Sequence, residues 1–202
     1  MKKDYQDYRH FVEVVGCEIQ KVLNNLDYEA LRKAADLIEE ARKNGNRMHI
    51  SGIGKPAHLA NYLVSLMSST GTPAYYLHGT EAVHGSSGQL VPGDVVMFIS
   101  NSGETAEMKV CVRAVKNNGC KIIGVSGNPD SWLAREADMH LLAHVDEEGG
   151  PLNRAPRTSI LAETVTVQAL SVLLQSDADV TSQQYVKWHP SGTLGVLRED
   201  EK

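Results

Sequence analysis

The sequence predicts a doubly wound α/β domain: a mostly parallel five-stranded sheet flanked by helices and preceded by an N-terminal helical hairpin. Two patterns carry that prediction. Short β-rich runs alternate with helix-forming stretches, and the runs read as continuous apolar segments rather than as an alternation of apolar and polar residues. Strands of that kind are covered on both faces, which is the habit of parallel sheets. Size supplies a third observation. A chain of 202 residues with 42% hydrophobic content can bury one sizeable core, and no repeat, linker or low-complexity tract divides it. A single domain over 1–202 is expected, with the hairpin over 1–45 and the α/β core over 46–202.

The first element is an amphipathic helix, because Tyr8, Phe11, Val12, Val15, Ile19, Val22 and Leu23 recur at helical spacing. Asp27 is placed to cap a second helix carrying Leu31, Ala34, Leu37, Ile38 and Ala41, and Gly45 is its natural stop. The strands follow as "RMHIS" (47–51), "PAYYL" (73–77), "DVVMFIS" (94–100), "CKIIGVS" (120–126) and "DMHLLAHV" (138–145). Helices are expected between them at about 56–70, 103–118 and 130–136, and two more close the chain at about 157–176 and 181–187.

Composition excludes several classes. The net charge of −5 is mild and the lysines and arginines are scattered, so neither a nucleic acid nor an anionic membrane is expected as a partner. No apolar segment is expected to approach membrane-spanning length, and no leader pattern is visible. Cys17, Cys111 and Cys120 lack metal-type spacing and read as reduced thiols of a cytoplasmic protein. Of the eight histidines only His140 and His144 stand four apart, and both fall in one apolar strand rather than on a helix face, so no metal is expected. His49 and His140 read as residues of apolar strands, and His58 as a packing residue.

Ligands of doubly wound sheets sit beyond the carboxyl ends of the strands. Three strand ends are rich in small and hydroxylated residues: "SGIGKPAH" (51–58), "SNSGETAE" (100–107) and "SGNPDS" (126–131). Backbone N–H groups at a helix N-terminus favour an anion, and serine and threonine hydroxyls beside them add donors. Ser100, Asn101, Ser102 and Thr105 would supply such donors around a phosphate monoester, with Gly103 letting the backbone close on it. A lone serine there would only cap a helix; three hydroxyls and an amide within six residues point to phosphate.

Two familiar phosphate patterns fail. Gly52, Gly54 and Ala57 fit the G-x-G-x-x-G/A spacing, but the second strand runs out at Leu77 and His78 and Glu81 comes too late to hold a ribose, so no dinucleotide cofactor is expected. A nucleotide P-loop needs Ser or Thr after Gly54-Lys55, where Pro56 stands.

The segments "SGIGKPAHLA", "STGTPAYYLHGTEAVHGSSGQL", "ISNSGETAEM", "GVSGNPDSWLAREAD", "GGPLNRAP" and "KWHPSGTLG", in that order, resemble the sugar isomerase (SIS) domain of bacterial D-arabinose 5-phosphate isomerases. The resemblance spans about residues 30–197, and "TEAVHG" with "HPSGTLG" is its most specific part. It implies a doubly wound domain, homodimers or homotetramers with composite sites, and interconversion of D-arabinose 5-phosphate with D-ribulose 5-phosphate, a step feeding 3-deoxy-D-manno-octulosonate synthesis for lipopolysaccharide. No cofactor is implied.

That reaction moves a proton between adjacent carbons through an enediol, so it needs a base and an electrophile for the carbonyl oxygen. The family motifs single out Lys55, His84, Glu104, Glu148 and His189. Lys55 would bind oxygen or phosphate charge, one glutamate, Glu148 in preference to Glu104, would carry the proton, and His189 or His84 would assist ring opening and polarise the carbonyl. Each has a plainer reading: a solvated lysine, a loop histidine bonded to local backbone, a glutamate in a helix's first turn complementing the dipole, an exposed acidic loop around Asp146 and Glu147, and a terminal histidine.

Two departures from the family pattern stand out. Pro56 replaces a small hydroxyl residue after the loop lysine, and Arg157 stands within the "APRTS" segment, as a fork-shaped anion ligand or as a residue that changes which sugar phosphate fits. Many family members also continue into a pair of CBS modules, whereas "HPSGTLGVL" lies near the end of this chain, so a stand-alone catalytic domain is expected. Two alternatives stay open: an isomerase for a hexulose or heptose phosphate, and a non-catalytic sugar-phosphate sensor.

Overall fold

The computed structural model describes residues 5–202, so residues 1–4 of the expected hairpin lie outside it. Five strands, β1 (Met48–Gly52), β2 (Ala74–Tyr76), β3 (Val95–Ile99), β4 (Lys121–Ser126) and β5 (Met139–Leu142), form one sheet in the order β2-β1-β3-β4-β5. Every pairing is parallel. Among the described residues seven α-helices accompany them: α1 (Gln6–Asn24), α2 (Tyr28–Lys43), α3 (Lys55–Ser69), α4 (Ala106–Asn117), α5 (Trp132–Glu136), α6 (Thr158–Asp177) and α7 (Ser182–Trp188).

The two faces of the sheet bury separate cores, as the period of two requires. Val95, Met97 and Ile99 of β3 join Met48, Ile50, Ile123 and Val125 beneath α2, α3 and α6. Val96 and Phe98 point the other way, onto Met108, Cys111, Val112 and Val115 of α4 and Leu133 of α5. Each such fully buried side chain contributes about 1.5–3 kcal/mol relative to exposure. The middle of the sheet is thereby rigid, and polar chemistry is left to its carboxyl edge.

The hairpin divides its labour. Asp27 caps α2 by accepting from the Ala30 N–H at 2.9 Å, and Leu31, Ala34, Ala35, Ile38 and Ala41 lie in the core. Helix α1 instead rides outside on α6, so its stripe is only half used: Val22 is buried, whereas Tyr8, Val12 and Leu23 are exposed.

Helix α6 corrects one expectation, since it is 20 residues long and apolar enough to cross a membrane by length and composition. Its burying face explains that composition: it packs against α1, α2 and α3 and contributes Ala162, Val167, Leu170 and Leu174 to the core.

Candidate active site

Strand order places the site. From β1 the chain crosses to one side through α3 and reaches β2; from β3 it crosses through α4, on the opposite face, to β4. The β1–α3 and β3–α4 loops therefore diverge between adjacent strands, and Gly52 and Ile99 are partners in register where they part. Such a switch point leaves a crevice at the carboxyl edge.

The loop after β3 is tightly folded. The Gly103 N–H donates to the Ser100 carbonyl at 2.9 Å and to Ser100 Oγ at 3.2 Å, while Ser100 Oγ and Thr105 Oγ1 lie 3.3 Å apart. Gly103 has φ +64°, and a Cβ there would strike Ser131. Ser131 is itself held 3.1 Å from Ser126 Oγ, which lies 2.9 Å from His140 Nε2. The Leu133 N–H donates to the Gly103 carbonyl and the Gly127 N–H to that of Asn101. The "SGNPDS" loop is thus the floor beneath Ser100–Thr105, and His140 belongs to its support.

Glu104 does not lie in a helix's first turn, where the sequence pattern puts it. Helix α4 starts at Ala106, three residues later than expected, because the reversal at Gly103 continues through Thr105; the first-turn acid is Glu107. Glu104 accepts from Lys109 Nζ at 2.5 Å and from the Trp132 N–H at 2.7 Å. Lys109 first, and then that N–H, hold its carboxyl below the usual range. It ties α4 to α5 across the loop. Ser102 is not a helix cap either: its Oγ accepts the Glu104 N–H within the loop.

Lys55 is the first residue of α3, exposed, with no carboxylate paired to it among the described residues. Gly54 precedes it at φ +69°, and Pro56 occupies the second position, where its missing N–H breaks no intrahelical bond. Helices α3 and α4 both open with no side-chain cap, whereas α5 is capped by Ser131 and α6 by a glutamate. Among the four α-helices that follow strands of the sheet, the uncapped N-termini are the two that flank the switch point. His84 stands exposed in the 3-10 turn Glu81–His84 after β2, whose Ala82 packs into the α4-side core.

Glu148 caps α6. Its Oε2 accepts from the N–H groups of Arg157, Thr158 and Ser159 at 2.6, 2.8 and 3.2 Å, and its Oε1 from Ser159 Oγ at 2.5 Å. The neighbouring acids have other partners. Asp146 meets Lys21 Nζ at 2.9 Å and His144 Nε2 at 3.1 Å, and Glu147 lies 3.7 Å from His10. Buried Glu18 of α1 takes the Asp146 N–H at 2.7 Å, and Gly149 packs on Phe11 and Val14, so α1 anchors the loop that carries Glu148. The Arg157 guanidinium lies beside Gly150.

His189 stands apart. Trp188 and Val180 pack against Gly71, at the end of α3 opposite Lys55, and α3's 15 residues span about 22 Å. There His189 stacks on Tyr185 at 4.1 Å and bonds its carbonyl through Nδ1 at 2.9 Å. Lys55 and the Ser100–Thr105 loop thus share the switch point, with Glu148 docked from its loop on the N-terminus of α6, which packs on α3; His189 is not brought to them within one chain. The sequence reading missed Ser131, Ser159 and Glu163. A lone acid in the apolar run "TSILAETVTV" was the visible signal for the last.

Fold and crevice define a doubly wound α/β domain whose carboxyl edge offers two helix N-termini, a lysine and a hydroxyl-rich loop to an anionic ligand. The chain belongs to the SIS domain family, whose model matches residues 42–173. It is 36% identical to the arabinose 5-phosphate isomerase KdsD of Francisella tularensis over 177 residues, 88% of this chain and 54% of that protein. The chain spans about half the length of the curated relatives it matches. Among solved structures, a Listeria monocytogenes protein superposes with a TM-score of 0.86 at 29% identity, covering 95% of this chain and 100% of that one. An E. coli CFT073 protein in complex with arabinose 5-phosphate gives 0.81 at 31% identity, covering 91% and 95%.

Proposed function

We propose that the chain is an aldose-ketose isomerase that interconverts D-arabinose 5-phosphate and D-ribulose 5-phosphate. One observation carries the reading: at the switch point, and on both sides of it, helices open without side-chain caps, next to Lys55 and the hydroxyls of Ser100, Ser102 and Thr105. That arrangement suits a phosphate monoester and a sugar chain reaching out from it. The named relatives with which the chain shares its family support the pentose phosphate.

In this reading Ser100, Asn101, Ser102, Gly103 and Thr105 hold the phosphate with the first N–H groups of α4. Lys55 neutralises charge on the phosphate or on the enediolate oxygen. Glu148 takes the proton from the carbon next to the carbonyl and returns it to the adjacent one, and His84 or His189 assists ring opening and polarises the carbonyl. Glu104 positions the phosphate loop, held there by its ion pair with Lys109 and by the Trp132 N–H.

His189 serves the site of a second copy. Its distance from Lys55 along α3 motivates this, and the exposed Tyr8, Val12 and Leu23 of α1 offer apolar surface for assembly into a dimer or tetramer. Mixed assemblies of His189→Ala and Lys55→Ala chains should recover activity that neither has alone. The three free cysteines accord with a reducing cytoplasm. A hexulose or heptose phosphate is the second reading, favoured by Pro56, which withholds one N–H from the cradle.

The test is a proton NMR time course in deuterated water with D-arabinose 5-phosphate. D-ribulose 5-phosphate carrying deuterium at the exchanged carbon, and its loss in Glu148→Gln, is the expected result. Saturable binding without turnover would transfer the proposal to another substrate or to a sensor.

A further inference from the structure

The buried face of α6 contains a carboxyl group that the isomerase chemistry does not use. Glu163 has no exposure, and neither of its oxygens has a hydrogen-bond partner among the described residues. Thr158 and Thr166, on the same helix, are also buried with unpartnered hydroxyls. A carboxyl in such surroundings stays neutral, because its charged form would lose hydration and gain no donor in exchange. Burial, reinforced by the charge of Glu148, pushes Glu163 up to about 8.

Its position accounts for that influence of Glu148. Residues four apart share one helix face, and helical side chains lean toward the N-terminus, so the Glu163 carboxyl lies over the turn that begins at Ser159. Ser159 is the residue whose N–H and Oγ both hold Glu148. One helical turn therefore carries two carboxyls, one docked on its free N–H groups and one buried on its inner face.

The helices packed on α6 bring other titratable groups, and these are engaged elsewhere. On α1, Glu18 binds Lys21 and the Asp146 N–H. On α2, Arg32 pairs with Asp36 and Asp177, and Glu39 faces Arg32 and Lys43, all toward the far end of α6. On α3, Tyr62 accepts from Gln168, while Lys55 and His58 are exposed.

We propose that Glu163 is a positioning residue for Glu148: as a neutral acid one turn inside α6 it leaves the helix N-terminus free to hold the Glu148 carboxylate, and as an anion it drives that carboxylate off. Its meaning for catalysis rests on Glu148 as the proton carrier; the linkage of the two carboxyls does not. The docked Glu148 is then the competent one, and the neutral state of Glu163 is a condition of activity.

The experiment follows the amide resonances of Thr158 and Ser159 and the carboxyl carbon of Glu163 by NMR from pH 6 to 10, in the natural chain, Glu163→Gln and Glu148→Gln. In the natural chain both amides should shift together with the Glu163 carboxyl, near pH 8. In Glu163→Gln they should stay in place, and in Glu148→Gln the Glu163 carboxyl should titrate at lower pH. Amides that ignore the Glu163 titration, or move alike in Glu163→Gln, overturn the proposal. So does a Glu163 titration unchanged by Glu148→Gln, a result available even if Glu163→Gln does not fold. With D-arabinose 5-phosphate, the kcat/KM of the natural chain should fall about tenfold per pH unit above the same midpoint, and that limb should vanish in Glu163→Gln. Absence of turnover in every chain counts against the isomerase reading alone, because the resonances decide the linkage without substrate.

Discussion

Replacing Glu163 by glutamine should stabilise the protein at neutral pH, and the gain should grow with pH in a calculable way. The Glu163 carboxyl has an ordinary value of 4.5 and is pushed up to about 8 in the fold, by burial first and by Glu148 second. Between those values the unfolded chain has released the proton and the folded chain retains it. The folded state thus binds more protons, and its stability falls as pH rises. Each pH unit in that window costs about 1.4 kcal/mol. Relative to the fully protonated state, the penalty is about 1 kcal/mol at pH 5, about 3 kcal/mol at pH 7 and close to 5 kcal/mol once Glu163 itself ionises. Glutamine has nearly the same shape and no proton to lose, so Glu163→Gln escapes the penalty. Urea unfolding of both chains between pH 5 and 8.5, analysed as the difference in stability at each pH, isolates this residue from every other titrating group. The difference should widen by about 2 kcal/mol from pH 5 to 7. Parallel curves would refute the claim that this carboxyl is buried without a partner, and a narrowing difference would mean that a cation holds it charged.

Glu148→Ala should remove both a helix cap and the proposed proton carrier, at a cost of about 2–3 kcal/mol in thermal or urea unfolding, whereas Glu148→Gln keeps an acceptor on the α6 N-terminus and loses less than half of that. Both should lower kcat at least a hundredfold, in line with roughly 10²–10⁴ for a lost acid-base group; near-normal turnover by Glu148→Gln would assign the proton to another residue. Gly103→Ala must adopt φ +64° and push against Ser131, so it should cost about 2–4 kcal/mol and weaken sugar phosphate binding measured by calorimetry. Lys55→Ala should raise KM for the sugar phosphate about 10–100-fold with unchanged unfolding, which steady-state kinetics and a melting curve separate from misfolding. The bond to the Gly127 carbonyl, and next Asp146, raise His144 above its ordinary 6.5. Its contribution is therefore complete below that value and lost as pH rises through the raised one. The stability difference between the natural chain and His144→Ala should accordingly be larger at pH 6 than at pH 9.

Much of the architecture was legible because it depends on short-range patterns. The helical spacing of α2, Asp27 three residues before the N–H it caps, and the continuous apolar runs of β1, β3 and β4 each reflect a periodicity contained within one element. The tight turn after β3 was legible for the same reason: Ser100, Gly103 and Thr105 interact within six residues of chain. Helix α6 shows the limit of composition, since an apolar helix reads alike whether lipid or protein covers it.

The site's division of labour was not contained in those patterns. In the sequence Glu104 reads as an acid in a helix's first turn and Glu148 as one of an acidic loop, yet the first is tied to the Trp132 N–H, 28 residues on, and the second to the first turn of a helix up to 11 residues on. Glu18 reaches the Asp146 N–H across 128 residues, and α7 folds back to Gly71, which carries His189 away from Lys55. By itself the sequence determined the elements, their alternation and the loops at which a sugar phosphate was to be sought, because local spacing and turn chemistry act along the chain. Only the tertiary structure decided which carboxylate is committed to an ion pair, which caps a helix and which is enclosed without a partner. Burial and hydrogen bonding set those states, and both are properties of neighbours that the chain brings together only when it folds.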